Sequence, residues 1–415
     1  MLNVKANDHD IHTTDILVIG GGVVGLALCQ GLLHANLDVR VTLVSSCNIL
    51  QANAYADDMR AIALAHSTRQ HLASMGIPLP DSHATIEQIH ISDRGHLGQV
   101  RLTAKEQGVS ALGYVTQLSA LETTLSQQLS QHTDTQFTLF ENAQCTQVNT
   151  TQQDVTATLD TGLIIHAKTL VFADGQGSDL KRTLGIASHS VDYQQHALVS
   201  VVGVSRIGPT RYHHKLTAFE RFTDKGPLAL LPMSRDAVSD DACQQYYSLV
   251  WCASKEDIAT LTALDDTSFK HALQTAFGDR AGLFSYISQR QHFPLKLVSH
   301  FNNPQRIFSL GNAAQTLHPI AGQGFNLGIR DVMGFIKSVN ELPQKEDLGT
   351  QTHQDRFIAM RHSDRTAVTQ VTSLLVTVFS NAFPGLVIPR NKALHLLHSV
   401  PLIKKWFTKI AMGYR

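Results

Sequence analysis

A glycine-rich turn between a buried strand and a helix constrains this chain more than any other feature. The apolar run 16–19 is typical of a strand buried on both faces. The turn after it holds three spaced glycines, Gly20, Gly22 and Gly25. Apolar residues at helical spacing follow over 23–35, and a second strand is predicted over 39–44. A G-x-G-x-x-G turn in this position predicts a βαβ unit that binds a dinucleotide pyrophosphate at the helix N-terminus.

One part of this dinucleotide fingerprint is absent. An Asp or Glu at the end of the second strand normally holds the adenosine ribose, but here the strand ends at Ser45. A serine hydroxyl can hydrogen-bond a ribose, although more weakly than a carboxylate does. We therefore expect dinucleotide binding with a weaker hold on the adenosine half.

The rest of the chain indicates a second domain inserted into the first. Strand patterns over 154–173 and 306–310 fit the first sheet, whereas three β-rich runs within 196–252 favour a mostly antiparallel sheet. The predicted fold class is α/β: a discontinuous Rossmann-like dinucleotide-binding domain, an inserted substrate domain and a C-terminal helical region. The expected segments are 14–80, 108–187 and 296–345 for the first domain, 81–107 and 188–295 for the second, and 346–415 for the helices.

Composition argues against several classes of protein. The chain has 34 Lys and Arg against 34 Asp and Glu, and this balance disfavours a nucleic-acid binder. Its five cysteines form no C-x-x-C pair and no apolar signal region opens the chain, which favours a reducing cytoplasm. The 22 histidines are scattered without an H-E-x-x-H motif, so we expect no metal site.

Two later segments, 173–175 (Ala-Asp-Gly) and 311–331, make the chain similar to a known family. They resemble the signature segments of the class A flavoprotein aromatic hydroxylases, which share the para-hydroxybenzoate hydroxylase-like fold. Segments 57–64, 92–98 and 226–233 resemble the ubiquinone-biosynthesis branch, most closely its 2-octaprenyl-6-methoxyphenol hydroxylases. The resemblance extends from about residue 14 to about residue 390.

The resemblance implies that the bound dinucleotide is FAD, with NAD(P)H as a transient co-substrate. The positions that it assigns to the cofactor are Arg60, Gln117, Asp174, Gly175, Gly311, Asn312, Pro319, Gly322, Gln323, Gly324, Phe325 and Asn326. Asn312 stands where the family has an Asp that holds the ribitol. The stretch also makes physical sense beside a flat ring, because glycines let the backbone approach and a helix N-terminus stabilises an anionic reduced flavin.

The implied reaction is hydroxylation of a polyprenylated phenol. NAD(P)H would reduce the flavin, O2 would form a C4a-hydroperoxide, and its terminal oxygen would be transferred to the ring, so the flavin carries the difficult step. No side chain is assigned as catalytic; His318 is a candidate proton relay, with a packed, hydrogen-bonded histidine as the alternative. Asp331 is expected to be a helix cap or a surface ion pair. Asp93 and Arg94 are expected to form a turn with an ion pair.

Two alternatives stay open. The chain could be an FAD-binding scaffold subunit of a quinone-biosynthesis complex, or another flavin oxidoreductase on the same fold. A halogenase is disfavoured, because the tryptophan motif of that class is missing and Trp251 is expected to lie in the core.

The tail suggests contact with a membrane surface or with a partner. The uncharged stretch 366–389 fits an amphipathic helix. The segment 401–412 sets apolar residues against lysines, which is typical of a helix lying on a membrane and equally of one packed on the protein. These residues are Ile403, Trp406, Phe407 and Ile410 against Lys404, Lys405 and Lys409. The expected location is the cytoplasm, with peripheral contact at the inner face of the membrane and contact with other quinone-biosynthesis proteins left open.

Overall fold

The computed structural model describes residues 11–50, 60–132, 136–175, 179–207, 216–237, 243–343, 347–379 and 384–414. Its strands are β1 (Ile11–Ile19), β2 (Val41–Val44), β3 (Ala61–Ala65), β4 (Ala84–Ile86), β5 (Gln88–Asp93), β6 (Gln99–Thr103), β7 (Gly113–Gln117), β8 (Phe137–Phe140), β9 (Cys145–Thr150), β10 (Val155–Leu159), β11 (Ile164–Phe172), β12 (Ala187–Ile207), β13 (Thr217–Thr223), β14 (Gly226–Met233), β15 (Gln245–Ser254), β16 (Gly282–Ile287), β17 (Gln291–Phe301) and β18 (Ile307–Ser309). Its α-helices are α1 (Val23–His34), α2 (His66–Ser74), α3 (Ala104–Gln107), α4 (Leu118–Ser130), α5 (Asp179–Thr183), α6 (Lys255–Ala263), α7 (Asp266–Phe277), α8 (Gln323–Asn340), α9 (Gln351–Phe379), α10 (Pro384–Ser399) and α11 (Pro401–Ala411).

The first sheet confirms the predicted βαβ opening. Its strand order is β8-β2-β1-β11-β10-β9, with β18 added beside β11, and the strands β8, β2, β1, β11 and β18 run parallel. Ile16 and Val18 point into the core shared with α1, α4 and α8, whereas Leu17 and Ile19 point into the core on the other face. The apolar run 16–19 is therefore buried on both sides, as its composition predicted.

The sequence pattern predicted two strands where this sheet has one long strand. The runs 163–166 and 169–173 were expected to be separate, but β11 is continuous and pairs with β1 along its whole length, from Ile164 to Phe172. The two residues between the runs, Ala167 and Lys168, stay in the strand because Ala167 keeps its backbone partner, Thr14, on β1 and its side chain is buried. The helix and the second strand, by contrast, form within two residues of the expected bounds.

The second sheet carries the predicted antiparallel runs. Its order is β16-β12-β15-β14-β13-β5-β6, with β17 paired to β12, and all neighbours are antiparallel except β13 and β5. Helices α6 and α7 cover one face, where Trp251 lies with its ring centroid 6.1 Å from that of Phe269, in the core as expected. The small sheet β3-β7-β4 lies beside the other face, where Ala63 packs against Ala218. The strands fall into separate sheets. On this ground we propose the division into two domains that the sequence predicted.

The C-terminal region is helical, but the amphipathic helix expected over 366–389 is two helices. Residues 366–379 form the end of α9, and α10 begins at Pro384. Proline is well suited to a first helical position, because it has no N–H to pair there and its φ is already helical. The apolar positions predicted for one face of this helix are only partly confirmed. Val368 is buried and Leu375 and Val378 pack against an apolar cluster, whereas Val371 is 47% exposed.

The polar segment 92–98 contains the expected turn, but Asp93 and Arg94 do not pair with each other. The Asp93 carboxylate is buried and accepts hydrogen bonds from two guanidinium nitrogens of Arg390 at 2.8 and 2.9 Å, and Asn391 donates to it at 2.8 Å. Arg94 pairs with Asp224 instead. The expected partner was wrong because the pair joins residues almost three hundred positions apart. This pair fixes α10 to the second sheet.

The last helix does not separate its apolar and basic residues as expected. Lys404 of α11 is turned toward the body and forms an ion pair with Glu106 at 2.7 Å. Phe407 packs into the apolar cluster between α11 and the second sheet, whereas Trp406 is 64% exposed. The outer face of α11 therefore combines Trp406 with Lys405 and Lys409, because helix packing and not polarity alone orients these side chains.

Candidate functional site

The first glycine turn lies at the carboxyl end of β1, and its glycines have different roles. At Gly20, φ is +121° and an added Cβ would lie 2.6 Å from the carbonyl carbon of Ala173. At Gly25, an added Cβ would lie 2.0 Å from the Gly20 carbonyl oxygen. Both positions are closed to any side chain by the protein's own backbone. These two glycines allow the tight turn and the close approach of α1 to the sheet.

Gly22 is different because it faces open space. An added Cβ there would meet only the Glu122 carboxylate oxygen, at 3.9 Å, and its φ of −80° suits any residue. Helix α1 begins directly after it, with no described side chain capping it and no acidic residue in its first turn. The first N–H groups of a helix carry a partial positive charge. This turn therefore offers an anion site with room for a ligand.

Asp174 and Gly175 lie beside this turn, at the carboxyl end of β11. An added Cβ at Gly20 would be 2.7 Å from the Asp174 Cα atom, so the two segments touch. The Asp174 carboxylate pairs with Lys181 at 3.1 Å, and Lys181 also donates to the Gly175 carbonyl oxygen at 3.0 Å. Lys181 thus fixes the Asp-Gly segment against the glycine turn.

Gly311 and Asn312 follow β18, the next parallel strand. Gly311 has φ +57°, and an added Cβ would lie 3.0 Å from Val24 of α1, so this turn also contacts the first one. Asn312 is exposed beside it, where its amide can reach a ligand. Because β1, β11 and β18 are parallel, their carboxyl ends bring the three predicted segments to one edge of the sheet.

The sequence predicted Asp331 to be a helix cap or part of a surface ion pair, and this prediction was wrong. It is completely buried on α8, where it accepts the Gly311 N–H at 3.1 Å. Arg361 and Arg365 of α9 each pair with it at 2.8 Å. Spacing along α8 could not reveal this, because both arginines come from another helix. Asp331 therefore positions the Gly311 turn and is not available as an acid or base.

Arg60 and Gln117 lie close together on the small sheet. Ala61 of β3 pairs with Gln117 of β7, and the Arg60 carbonyl oxygen accepts the Leu118 N–H at 2.8 Å. Arg60 is exposed and Gln117 is half-buried. The preceding motif residues 57–59 lie outside the described residues. The structure thus brings together the two polar side chains that the sequence assigned to the cofactor.

The second glycine segment forms a loop that leads into α8. Gly322 has φ +58° and is the N-cap of this helix, which has no acidic residue in its first turn. An added Cβ at Gly324 would have no described atom within 4 Å, so this position also faces open space. Pro319 and Gln323 are half-buried at the same place, and Phe325 packs on the core.

Asn326 holds this loop through its side chain. Its amide nitrogen donates to the carbonyl oxygens of Gly322 at 2.7 Å and Ala63 at 3.0 Å. Its amide oxygen accepts the Ala65 N–H at 2.8 Å. The side chain is therefore occupied by the protein backbone, and it ties β3 to the start of α8.

His318 is a packed, neutral histidine. Burial lowers its pKa to about 4. Its Nδ1 atom accepts the Ile320 N–H at 3.2 Å, so the ring proton lies on Nε2, which donates to Gln195 at 3.1 Å. Tyr193 packs edge-on against the ring at 5.2 Å between centroids. With both nitrogens engaged, His318 supports the loop that begins at Pro319.

The Ser45 hydroxyl at the end of β2 is occupied locally. It donates to the Cys47 carbonyl oxygen at 2.9 Å and lies 2.4 Å from where a Gly21 Cβ would be. Glu122, which the sequence did not indicate, is a buried carboxylate near Gly22. Sequence spacing could not reveal it, since α4 reaches the turn only in the folded chain.

The family comparison decides what binds at this edge of the sheet. A model described as an FAD binding domain matches residues 13–354 of the chain. The chain belongs to this FAD-binding family. The match spans the first glycine turn, the second sheet and the second glycine loop.

The chain is also similar to curated relatives in sequence and to solved structures in fold. The chain is 28% identical to a ubiquinone hydroxylase, UbiL, of Rhodospirillum rubrum over 96% of this chain and 89% of that protein. It is 26% identical to 3-demethoxyubiquinol 3-hydroxylase of Escherichia coli over 96% of this chain and 98% of that protein. The crystal structure of p-nitrophenol 4-monooxygenase PnpA from Pseudomonas putida shares the fold, with a TM-score of 0.77 at 13% identity over 97% of this chain and 99% of that one.

The residues present fit FAD. Two helices begin without a described side-chain cap at glycine turns, and each turn has one glycine, Gly22 or Gly324, that faces open space. The first turn suits the pyrophosphate, and Gly311 with Asn312 suits the ribitol. The loop at Gly322 and Gly324 suits a flat ring.

Proposed function

We propose that this protein hydroxylates the aromatic ring of a polyprenylated phenol in ubiquinone biosynthesis, using FAD, NAD(P)H and O2. The observation that carries the proposal is that, in an FAD-binding chain, the helix after the second open glycine turn packs on the first: an added Cβ at Gly328 of α8 would lie 3.2 Å from Val24 of α1. Full-length relatives named as a ubiquinone hydroxylase and a 3-demethoxyubiquinol 3-hydroxylase support the choice of substrate.

The chain's own residues supply binding and exclusion of water. The α1 N-terminus and Gly22 would hold the pyrophosphate, Asn312 the ribitol, and the 319–326 loop the ring. Bound FAD supplies the activation of O2 that the side chains cannot provide. His318 and Ile320, both buried at the start of this loop, would help to keep water from the reacting atoms.

The experiment is a turnover assay with the purified, FAD-loaded protein. A prenylated phenol, O2 labelled with heavy oxygen and NADH or NADPH are supplied, and products are identified by mass spectrometry. We expect one labelled oxygen atom in the ring product. NAD(P)H oxidation without a labelled product from any prenylated phenol would contradict the proposal.

We further propose that the outer face of α11 contacts a membrane surface, where a polyprenyl substrate is found. Trp406 and Leu402 are 64% and 81% exposed on that face, next to Lys405 and Lys409. A basic, aromatic helix face is typical of interfacial binding. No helix among the described residues is long and apolar enough to cross a membrane.

Charge reversal on this face tests the membrane contact. The double variant Lys405→Glu, Lys409→Glu should sediment less with anionic vesicles, because each basic residue near an anionic surface contributes about 1 kcal/mol. Lys404→Gln is a matched control, since this lysine is held by Glu106. Equal sedimentation of the double variant and the wild type would show that α11 does not contact the membrane.

A further inference from the structure

A carboxylate outside the residues assigned above, Glu220, lies on the face of the second sheet that looks toward the glycine loop. Its neighbours on β13 face the other way: the Phe219 ring is 5.6 Å from that of Phe277 on α7, and Arg221 donates to the Ala276 carbonyl oxygen at 3.1 Å. Successive side chains of a strand point to opposite faces. Glu220 therefore points away from α7.

The residues on either side of Glu220 along this face show what it looks toward. Ala218 packs in a cluster with Ala63, whose carbonyl oxygen is bound by the loop residue Asn326. Phe222 packs in a cluster with Ile320, at the start of the same loop. Glu220 thus stands between a contact to this loop, at Ile320, and a contact to β3, the strand that the loop residue Asn326 binds.

The sheet beside Glu220 is lined by small side chains and is not fully covered. Glu220 lies opposite Ala229 on β14, and Ala229 lies opposite Val250 on β15. All three remain partly exposed, whereas Leu228, Leu230 and Trp251 on the other face are at most 5% exposed. A row of small, partly exposed residues on an inner face leaves room for a flat molecule.

The surroundings of Glu220 favour its protonated form. Burial raises its pKa from an ordinary 4.5 to about 7. The titratable groups on this side are Cys252, whose thiol pKa is raised by burial and by the Glu220 charge, the neutral His318, and Tyr193, whose buried hydroxyl has no partner among the described residues. A carboxyl that titrates near the working pH is suited to proton transfer.

We propose that Glu220 is the catalytic base that accepts the hydroxyl proton of the phenol. The inference rests on the proposed hydroxylation. The phenol O–H bond breaks, the proton moves to the Glu220 carboxylate, and the electron pair stays on the phenolate oxygen. The ring thereby becomes electron-rich at the carbons ortho and para to that oxygen. These are the carbons that an electrophilic oxygen attacks.

The first test is the variant Glu220→Gln, with Glu256→Gln on the exposed start of α6 as the matched control. We expect Glu220→Gln to bind FAD and to oxidise NAD(P)H, but to form product about a hundredfold or more slowly at pH 7. The control should behave as the wild type does. Wild-type product formation by Glu220→Gln, with an unchanged pH profile, would overturn the proposal.

A substrate that is already ionised separates a base from a structural residue. A prenylated phenol with electron-withdrawing ring substituents is a phenolate at pH 8 and needs no base. It should restore most of the product formation of Glu220→Gln relative to the wild type. If the variant is equally slow with the ionised and the ordinary phenol, Glu220 acts through structure and the proposal is wrong.

Stability against pH gives a readout that needs no turnover. The folded protein binds the Glu220 proton more tightly than the unfolded chain does, so the stabilisation is present below pH 4.5 and is lost as the pH rises through about 7. Glu220→Gln cannot ionise, so it should melt higher than the wild type at pH 8 and equally at pH 4. If Glu220→Gln melted at a lower temperature than the wild type at pH 8, the raised pKa of the Glu220 carboxyl would be contradicted.

The outcomes separate the two proposals. If wild-type protein hydroxylates no phenol but shows the pH-dependent difference in melting, the proposed function fails and with it the base. If the wild type hydroxylates a phenol and Glu220→Gln does so equally, only the base assignment fails.

Discussion

The two glycine segments of this protein each lead into a helix and leave one glycine facing open space, but they are held in place differently. In the first turn, Gly20 and Gly25 are crowded by backbone and only Gly22 faces open space. In the second, Gly324 faces open space, and the loop is held by the side chain of Asn326. The comparison teaches that glycines in one motif divide into those the fold needs and those a ligand needs. The predictions below test this division, from the largest expected effect to the smallest.

A side chain at a crowded glycine should break the fold. In Gly25→Val, the new Cβ would lie 2.0 Å from the Gly20 carbonyl oxygen, so α1 could not pack on the sheet. We expect the free energy of unfolding to fall by about 5 kcal/mol or more. Thermal melting of the flavin-free protein measures it. Gly22→Ala is the control. If Gly25→Val melted at the same temperature as Gly22→Ala, Gly25 would not be a glycine that the fold needs.

A side chain at the open glycine of the first turn should affect only the cofactor. In Gly22→Val, the Cβ atom would meet only the Glu122 carboxylate oxygen, at 3.9 Å, but the side chain would fill the space predicted for the pyrophosphate. The chain should stay soluble and melt like the flavin-free wild type, while FAD affinity falls about a thousandfold, or about 4 kcal/mol. Flavin per chain after dialysis reports this, and stoichiometric FAD in the variant would contradict it.

The open glycine of the second loop should affect the ring more than the adenosine half. In Gly324→Val, the Cβ atom would have no described protein atom within 4 Å, but the side chain would obstruct the predicted ring position. We expect about a hundredfold lower hydroxylation, equivalent to about 2.7 kcal/mol, with an altered flavin spectrum. Absorbance and product formation are measured together. An unchanged spectrum with unchanged hydroxylation would place the ring elsewhere.

The smallest effect is expected where the second loop is held by a side chain. Asn326→Ala removes three hydrogen bonds to backbone atoms of Ala63, Ala65 and Gly322. Waters can replace part of them, so we expect a loss of about 1–2 kcal/mol in stability. Urea unfolding of the flavin-free protein measures it. A variant as stable as the wild type would show that Gly322 holds the loop without Asn326.

Local features were predictable from the sequence, and distant pairings were not. The turn at Gly20–Gly25 carries its own signal, because the strand, the glycines and the helix are adjacent. Asp331 was read as a surface residue, since nothing in its vicinity announces Arg361 and Arg365 on another helix. The prediction for Asp93 was wrong for the same reason, because its partner Arg390 lies on a distant helix. Glu220 was passed over because one carboxylate in a β-rich run becomes informative only when the two faces of the sheet are known.

The interleaving of the two sheets along the chain also has a consequence for synthesis. β1 pairs with β11, and β18 completes that sheet only after the strands of the second sheet have been made. The second sheet in turn joins β5 to β13 and β12 to β17. Closing such long loops is slow, because their entropy is lost before distant contacts form. A ribosome must therefore release the chain through Phe301 before the second sheet has all its strands, and through Ser309 before the first one has. Unpaired strand edges stay open to chaperones until then.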